Sequence, residues 1–210
     1  MNQAIQEQPG TKTTERPLYS PGLEGVIAGE SALCQVDEGE AGLRYRGYAI
    51  GDLAKWSRFE EVAYLLLIGH LPTRSELDSF STLLRGHRVL PDPVQRFIDS
   101  LQPGLHPMDV LRTGISLLGL SDPDAQDGSH EANLRKSMRL LSQIPLLIAH
   151  SYRVMSGILP PRQDESRDFA QHLLHLVAGH KDGETGTAMA QALNVSLILY
   201  AEHEFNASTF

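Results

Sequence analysis

Cysteine is almost absent. Cys34 stands alone among 210 residues, so an internal disulfide and a cysteine-rich metal site are both excluded. Its neighbours Leu33 and Val36 mark it as a small core residue rather than a reactive thiol. Long hydrophobic runs are missing too, since no stretch approaches the ~18 apolar residues of a membrane helix. The first residues lack the basic, apolar, then small-residue order of a signal peptide. Glu7 and Glu15 also separate them from the Arg-rich, acid-poor leaders of organelle proteins. A cytoplasmic setting with no membrane partner is expected. Positive charge is in short supply, with 18 Lys and Arg against 26 Asp and Glu, a net −8. That balance repels nucleic acid, and the basic stretches at 85–88 and 135–139 are too short for a nucleic-acid footprint.

What is present is an ordinary globular balance, 41% apolar and 21% charged. Residues 1–21 are polar and carry Pro9, Gly10, Pro17 and Pro21, the composition of a flexible arm. Residues 22–210 read as the folded body. Short apolar groups among glycines between 23 and 48 predict two or three strands with turns around 37–42. The period then becomes helical. Ser57 with Glu60 and Thr73 with Glu76 read as capping boxes opening helices to 69 and 85. Asp92-Pro93 reads as a cap with proline in the first turn. Pro107 opens a helix with an apolar stripe of Met108, Leu111, Ile115 and Leu118. Further helices are expected at 131–155 with a bend at Pro145, at 165–178 and at 187–204. The class is mainly α with a small N-terminal β element.

Nine histidines invite a metal reading. His172 and His175 share a helix face, but Leu173 and Leu174 stand where a zinc-protease helix has its glutamate. Two hydrogen-bonded imidazoles on a helix face are the simpler account, and no metal is expected. His70, His87 and His180 fall at helix ends, where imidazoles meet terminal carbonyls. Gly22, Gly25 and Gly29 follow no strand and open no helix, so no phosphate cradle forms. No serine sits in a nucleophile elbow. Glu38 with Glu40 lies in a turn and Glu60-Glu61 at a helix start, not across a cleft. The tract Tyr200 to Phe210 differs, because charged and imidazole groups follow a very apolar helix. They either face a cavity or cap a helix end in water.

That tract, AEHEFNASTF at 201–210, resembles the oxaloacetate-side signature of the citrate synthase family, which includes the 2-methylcitrate synthases. Four further blocks agree in order: GLEGVIAGESAL at 22–33, GLRYRGYAIGDLA at 42–54, FEEVAYLLLIGHLPTRSEL at 59–77 and HPMDVLRTGISLLG at 106–119. Tyr200-Ala201-Glu202 replaces a common His-Ala-Asp, and Asn194 stands where an Asp is common.

The resemblance implies the helical large domain of a citrate synthase, truncated at its C-terminus, with the small domain missing. It implies condensation of an acyl-CoA with oxaloacetate, giving citrate or 2-methylcitrate and free CoA, in the tricarboxylic acid or methylcitrate cycle. Acyl-CoA is then a substrate, and no cofactor is required. His203 maps onto an oxaloacetate-binding histidine, with Asn206 a neighbouring candidate. The family's catalytic Asp, its two catalytic His and its arginine clamps match nothing here, so no catalytic residue is assigned and the chain alone is expected to be inactive. A homodimer through the segments 107–119 and 131–155 is implied, with Gly114 admitting a partner's backbone. The alternative is a non-catalytic or split-subunit module that pairs with a C-terminal half or a full-length relative.

Overall fold

In the computed structural model, residues 29–36, 42–159, 161, 164, 166–179 and 183–204 are described. Three short antiparallel strands, β1 (Cys34–Val36), β2 (Leu43–Tyr45) and β3 (Tyr48–Ala49), lie in the order β1-β2-β3. Cys34 pairs with Tyr45, and Tyr45 with Tyr48. Between those tyrosines Arg46 and Gly47 both take positive φ, 49° and 88°, as a two-residue turn matched to strand twist requires. Glycine does this freely. Arg46 is held there by its guanidinium, which donates to the Leu66 carbonyl at 3.2 Å. Of the expected turn at 37–42, only Gly42 is among the described residues.

Among the described residues eight helices follow: α1 (Ile50–Trp56), α2 (Phe59–Ile68), α3 (Arg74–Gly86), α4 (Asp92–Asp99), α5 (Pro107–Leu120), α6 (His130–Met155), α7 (Phe169–Ala178) and α8 (Gly183–Leu199). The Thr73–Glu76 box forms, with the Glu76 carboxylate accepting from the Thr73 N–H at 2.8 Å. The box expected from Ser57 and Glu60 does not. Glu61, one residue on, accepts from the Arg58 N–H at 2.7 Å, and Glu60 turns inward. The helix expected from 165 starts at Phe169, because Asp168 supplies the cap by accepting from the Gln171 N–H at 2.8 Å. Pro91 rather than Asp92 precedes α4. The last helix begins and ends about a turn earlier than expected, so His203 lies beyond it. α1 was not foreseen; its glycine-containing start hid a seven-residue helix.

α6 is the central strut, packed against α3, α4, α5 and α7. It runs continuously through Pro145, which is buried. One apolar cluster joins Tyr45, Leu53, Val62, Leu65, Phe80 and Ile198. Another joins Val94, Ile98, Val110, Leu118 and Leu147. The buried face of α5 is Val110, Gly114 and Leu118, while Met108 and Ile115 of the expected stripe are 61% and 38% exposed. Gly114 lies on that buried face. A Cβ there would sit 2.5 Å from Leu147 Cδ1, so the glycine makes room for this chain's own α6. The loop before α6 is tied down by Asp122 and Asp124, which bind Arg139 at 2.7 and 2.6 Å. Asp124 also binds Arg135, and these arginines hold both carboxyls below their ordinary range. The basic stretch at 135–139 therefore serves its own loop.

Candidate functional site

The candidate site is the segment after α8. It is placed by the helix beneath it and by the sheet beside it. α8 packs against α1, α2 and α7 through Gly186, Ala190, Asn194 and Ile198, a four-residue repeat that buries one stripe. Asn194 is 8% exposed. Its carbonyl oxygen accepts from the Phe59 N–H at 2.8 Å and its amide donates to the Ser57 carbonyl at 3.1 Å. Phe59 opens α2, so α8 supplies the cap that Ser57 does not. An amide fills this place where an aspartate would do half of it, since a carboxylate accepts but cannot donate to a carbonyl.

A matching exchange occurs at α7. Glu60, 7% exposed, accepts from the Phe169 N–H at 2.6 Å, and the rings of Phe59 and Phe169 meet with centroids 4.7 Å apart. Burial pushes the Glu60 carboxyl up, against the lowering effect of the Phe169 N–H. At the far end of α7, Arg153 of α6 donates to the carbonyls of Leu176 and Val177. At three helix ends long-range partners thus take up backbone groups that the local caps do not reach.

The chain leaves α8 at Leu199. The hydroxyl of Tyr45, whose residue is 0% exposed, lies 3.1 Å from the Leu199 carbonyl and 3.2 Å from the Glu202 carbonyl. The Glu204 N–H donates to the Glu202 carboxylate at 2.9 Å, and Glu204 takes φ 64°, uncommon for a residue with a side chain. Burial and the Glu202 carboxylate beside it push the Cys34 thiol up to about 12. Cys34 is half-buried at the edge of the core rather than inside it, and its neighbour Val36 is 64% exposed. His203 lies between the two residues so held, with its side chain exposed. Asn206 lies outside the described residues.

The paired histidines of α7 are both buried. Neither ring nitrogen of His172 has a hydrogen-bond partner, so the account of two hydrogen-bonded imidazoles fails for it. Burial, aided by the nearby Arg88 and His175, lowers His172 to about 4. Among the described residues, no three potential metal ligands come together, and no helix is long and apolar enough to cross a membrane. His70 meets the Leu71 carbonyl at 3.0 Å, and His87 caps α3; His180 is outside the described residues. Sequence reasoning missed Tyr45, Asn194 and Glu60. Tyr45 lay inside a quoted block, but nothing local announces a partner more than 150 residues away.

The family model of the citrate synthase C-terminal domain matches residues 22–210. The 2-methylcitrate synthase of Shewanella oneidensis is 41% identical over 196 residues, 93% of this chain and 51% of that protein. The citrate synthase structure from Pyrobaculum aerophilum superposes with a TM-score of 0.80 at 30% identity, covering 98% of this chain and 54% of that one. The citrate synthase of Thermoplasma acidophilum, solved in a ternary complex with carboxymethyl coenzyme A and oxaloacetate, gives 0.78 at 26% identity, covering 90% and 49%. The chain spans about half the length of the curated relatives it matches. Ordered sequence blocks, a helical fold with a three-stranded sheet and a match across nearly all its residues agree: the chain belongs to the citrate synthase family.

Proposed function

We propose that this chain carries the oxaloacetate-facing part of an acyl-CoA condensing enzyme. The overall reaction joins the α-carbon of acetyl- or propionyl-CoA to the keto carbon of oxaloacetate, and thioester hydrolysis then releases CoA. The observation that carries this reading is the 41% identity to a 2-methylcitrate synthase across the blocks ending in the His203 tract. His203 binds an oxaloacetate oxygen through an imidazole N–H, and Asn206 assists from the same tract. The exposure of His203 leaves that donor open to a ligand.

Removing the weakly acidic proton beside a thioester needs a positioned base, and the resulting enol needs a donor opposite it. The described residues of this chain bring no such pair to the His203 segment. On this reading the 210 residues bind and position, and the base, the enol donor and the carboxylate clamps are carried by further chain, as the family resemblance implies. That chain is either the rest of this polypeptide or a separate complement. The exposed apolar positions of α5 and α6, Met108, Ile115, Ile148 and Tyr152, suit a homodimer face. The acidic balance and the lone cysteine suit the cytosol.

The test is release of free CoA thiol from acetyl-CoA or propionyl-CoA with oxaloacetate. The chain alone stays at the rate without enzyme. Joined to the remaining half of a 2-methylcitrate synthase it turns over. Turnover by the 210 residues alone refutes the division of labour.

A further inference from the structure

We propose that Tyr45, on the second strand of the sheet, is a positioning residue for His203, its hydroxyl fixing the peptide plane from which His203 projects. The proposal rests on the reading of His203 as an oxaloacetate contact.

The orientation of a side chain is set by the two peptide planes that meet at its Cα. For His203 both planes are held. The preceding plane contains the Glu202 carbonyl, which lies 3.2 Å from the Tyr45 hydroxyl. The following plane contains the Glu204 N–H, which donates to the Glu202 carboxylate at 2.9 Å. What remains free is rotation of the imidazole about its own side-chain bonds. The left-handed Glu204, φ 64°, fits this picture, because such a conformation persists where surrounding contacts over-determine it.

The anchor itself is rigid. Tyr45 is 0% exposed, and its ring packs in the cluster that includes Leu53 and Ile198. Two antiparallel pairings, with Cys34 and with Tyr48, fix its backbone. The cross-strand neighbour Cys34 lies against the Glu202 side chain. The sheet corner thus reaches the segment both through the Glu202 backbone and through its carboxylate. A hydroxyl that served only to cap α8 needs the Leu199 carbonyl, 3.1 Å away. Its one proton is shared between the Leu199 and Glu202 carbonyls, so the hold extends across the turn to the residue before His203.

The test uses Tyr45→Phe, which deletes the hydroxyl and keeps the buried ring. It is made on the 210-residue chain and on that chain completed with the remaining half of a 2-methylcitrate synthase. Hydrogen exchange of the His203 and Glu204 amides is expected to accelerate at least several-fold, with the helices unchanged. In the completed enzyme the oxaloacetate KM rises about three- to tenfold, the worth of one hydrogen bond, while the acyl-CoA KM does not move. Tyr45→Phe adds nothing in a His203→Ala background, because the two residues act as a unit. Unchanged exchange, or an unchanged oxaloacetate KM in an enzyme that His203→Ala does impair, overturns the positioning role. So does an equal rise in both backgrounds. If His203→Ala itself leaves the oxaloacetate KM unchanged, the substrate reading falls instead, and the exchange measurement still decides whether Tyr45 holds the segment.

Discussion

The contact between Gly114 and Leu147 gives a sharp test of how α5 and α6 are packed. An alanine methyl at position 114 would lie 2.5 and 2.6 Å from the two Leu147 methyls and 3.1 Å from its Cγ. These are far inside van der Waals contact. A leucine tip on the surface would swing aside, but Leu147 is 0% exposed and enclosed by the α4–α5–α6 cluster. Overpacking of this kind costs about 1–3 kcal/mol, and the better helix propensity of alanine returns up to about 1. Gly114→Ala should therefore destabilise by about 1–2 kcal/mol net, or roughly 2–8 °C in Tm for a domain of this size. The second arm of the experiment changes the sign. Leu147→Ala alone should cost about 2–5 kcal/mol as a cavity. In that background the obstructing methyls are gone, and Gly114→Ala should be neutral or stabilising. Urea unfolding followed by circular dichroism reads both arms. If the 210 residues do not stay in solution, the completed enzyme serves. Equal effects of Gly114→Ala in both backgrounds would refute the packing argument.

Two further outcomes follow from the buried histidine and from the uncovered surface. His172 sits at about 4 in the fold against an ordinary 6.5, so between those values the unfolded chain binds the proton more readily. Its contribution is complete above pH 6.5 and is lost as pH falls towards 4, by about 3 kcal/mol in all. His172→Leu should flatten that part of the Tm-against-pH curve, and an unchanged slope would remove His172 as its source. The second concerns apolar area. Met108 is 61% exposed, Leu199 46% and Tyr200 85%, and each large side chain left in water forgoes about 1.5–3 kcal/mol. The chain alone should bind an apolar-surface dye or aggregate, and addition of a C-terminal complement should suppress both. A monodisperse, dye-negative chain with a sharp melt would favour a self-sufficient, non-catalytic module.

The helices were legible wherever the signal was local. Thr73 with Glu76 announced α3, and Pro107 announced α5, because cap and first turn lie within four residues of one another. The errors have the opposite cause. Ser57 looked like a cap, but Asn194 does that work from 137 residues away. Glu60 looked like the third residue of a box, but its carboxylate closes α7 across 109 residues. No periodicity encodes either partnership. The stripe on α5 divides: Leu118 is buried and Leu111 packs beside it, while Met108 and Ile115 stay exposed. Hydrophobicity marks apolar positions but not which neighbour covers them, and it gives no sign that Gly114, with no side chain at all, leaves room for Leu147. The candidate site was legible as a motif and not as geometry. The tract at 201–210 pointed to His203 by its residue order, whereas the tie from Tyr45 became visible only once strand and segment stood together.

The distribution of satisfied and open groups along α8 separates folding from function in this chain. Its polar obligations are met from within: Asn194 exchanges two hydrogen bonds with the chain entering α2, and Tyr45 meets the carbonyl of Leu199 as α8 ends. Buried backbone groups left without partners would be costly, so these contacts specify where α8 lies without help from another chain. Its apolar obligations are met only in part. The stripe Gly186, Ala190, Asn194 and Ile198 is buried and Leu197 packs against the core beside it, but Met189 and Leu199 are 40% and 46% exposed. Hydrogen bonds are directional and choose a geometry, whereas apolar burial is not and rewards any cover of suitable shape. A helix fixed in place by its polar contacts keeps its position whether or not its remaining apolar area is covered. His203 stands at the end of that helix. The segment carrying His203 is thus placed by this chain's own hydrogen bonds, independently of whatever covers the exposed apolar side chains of α8.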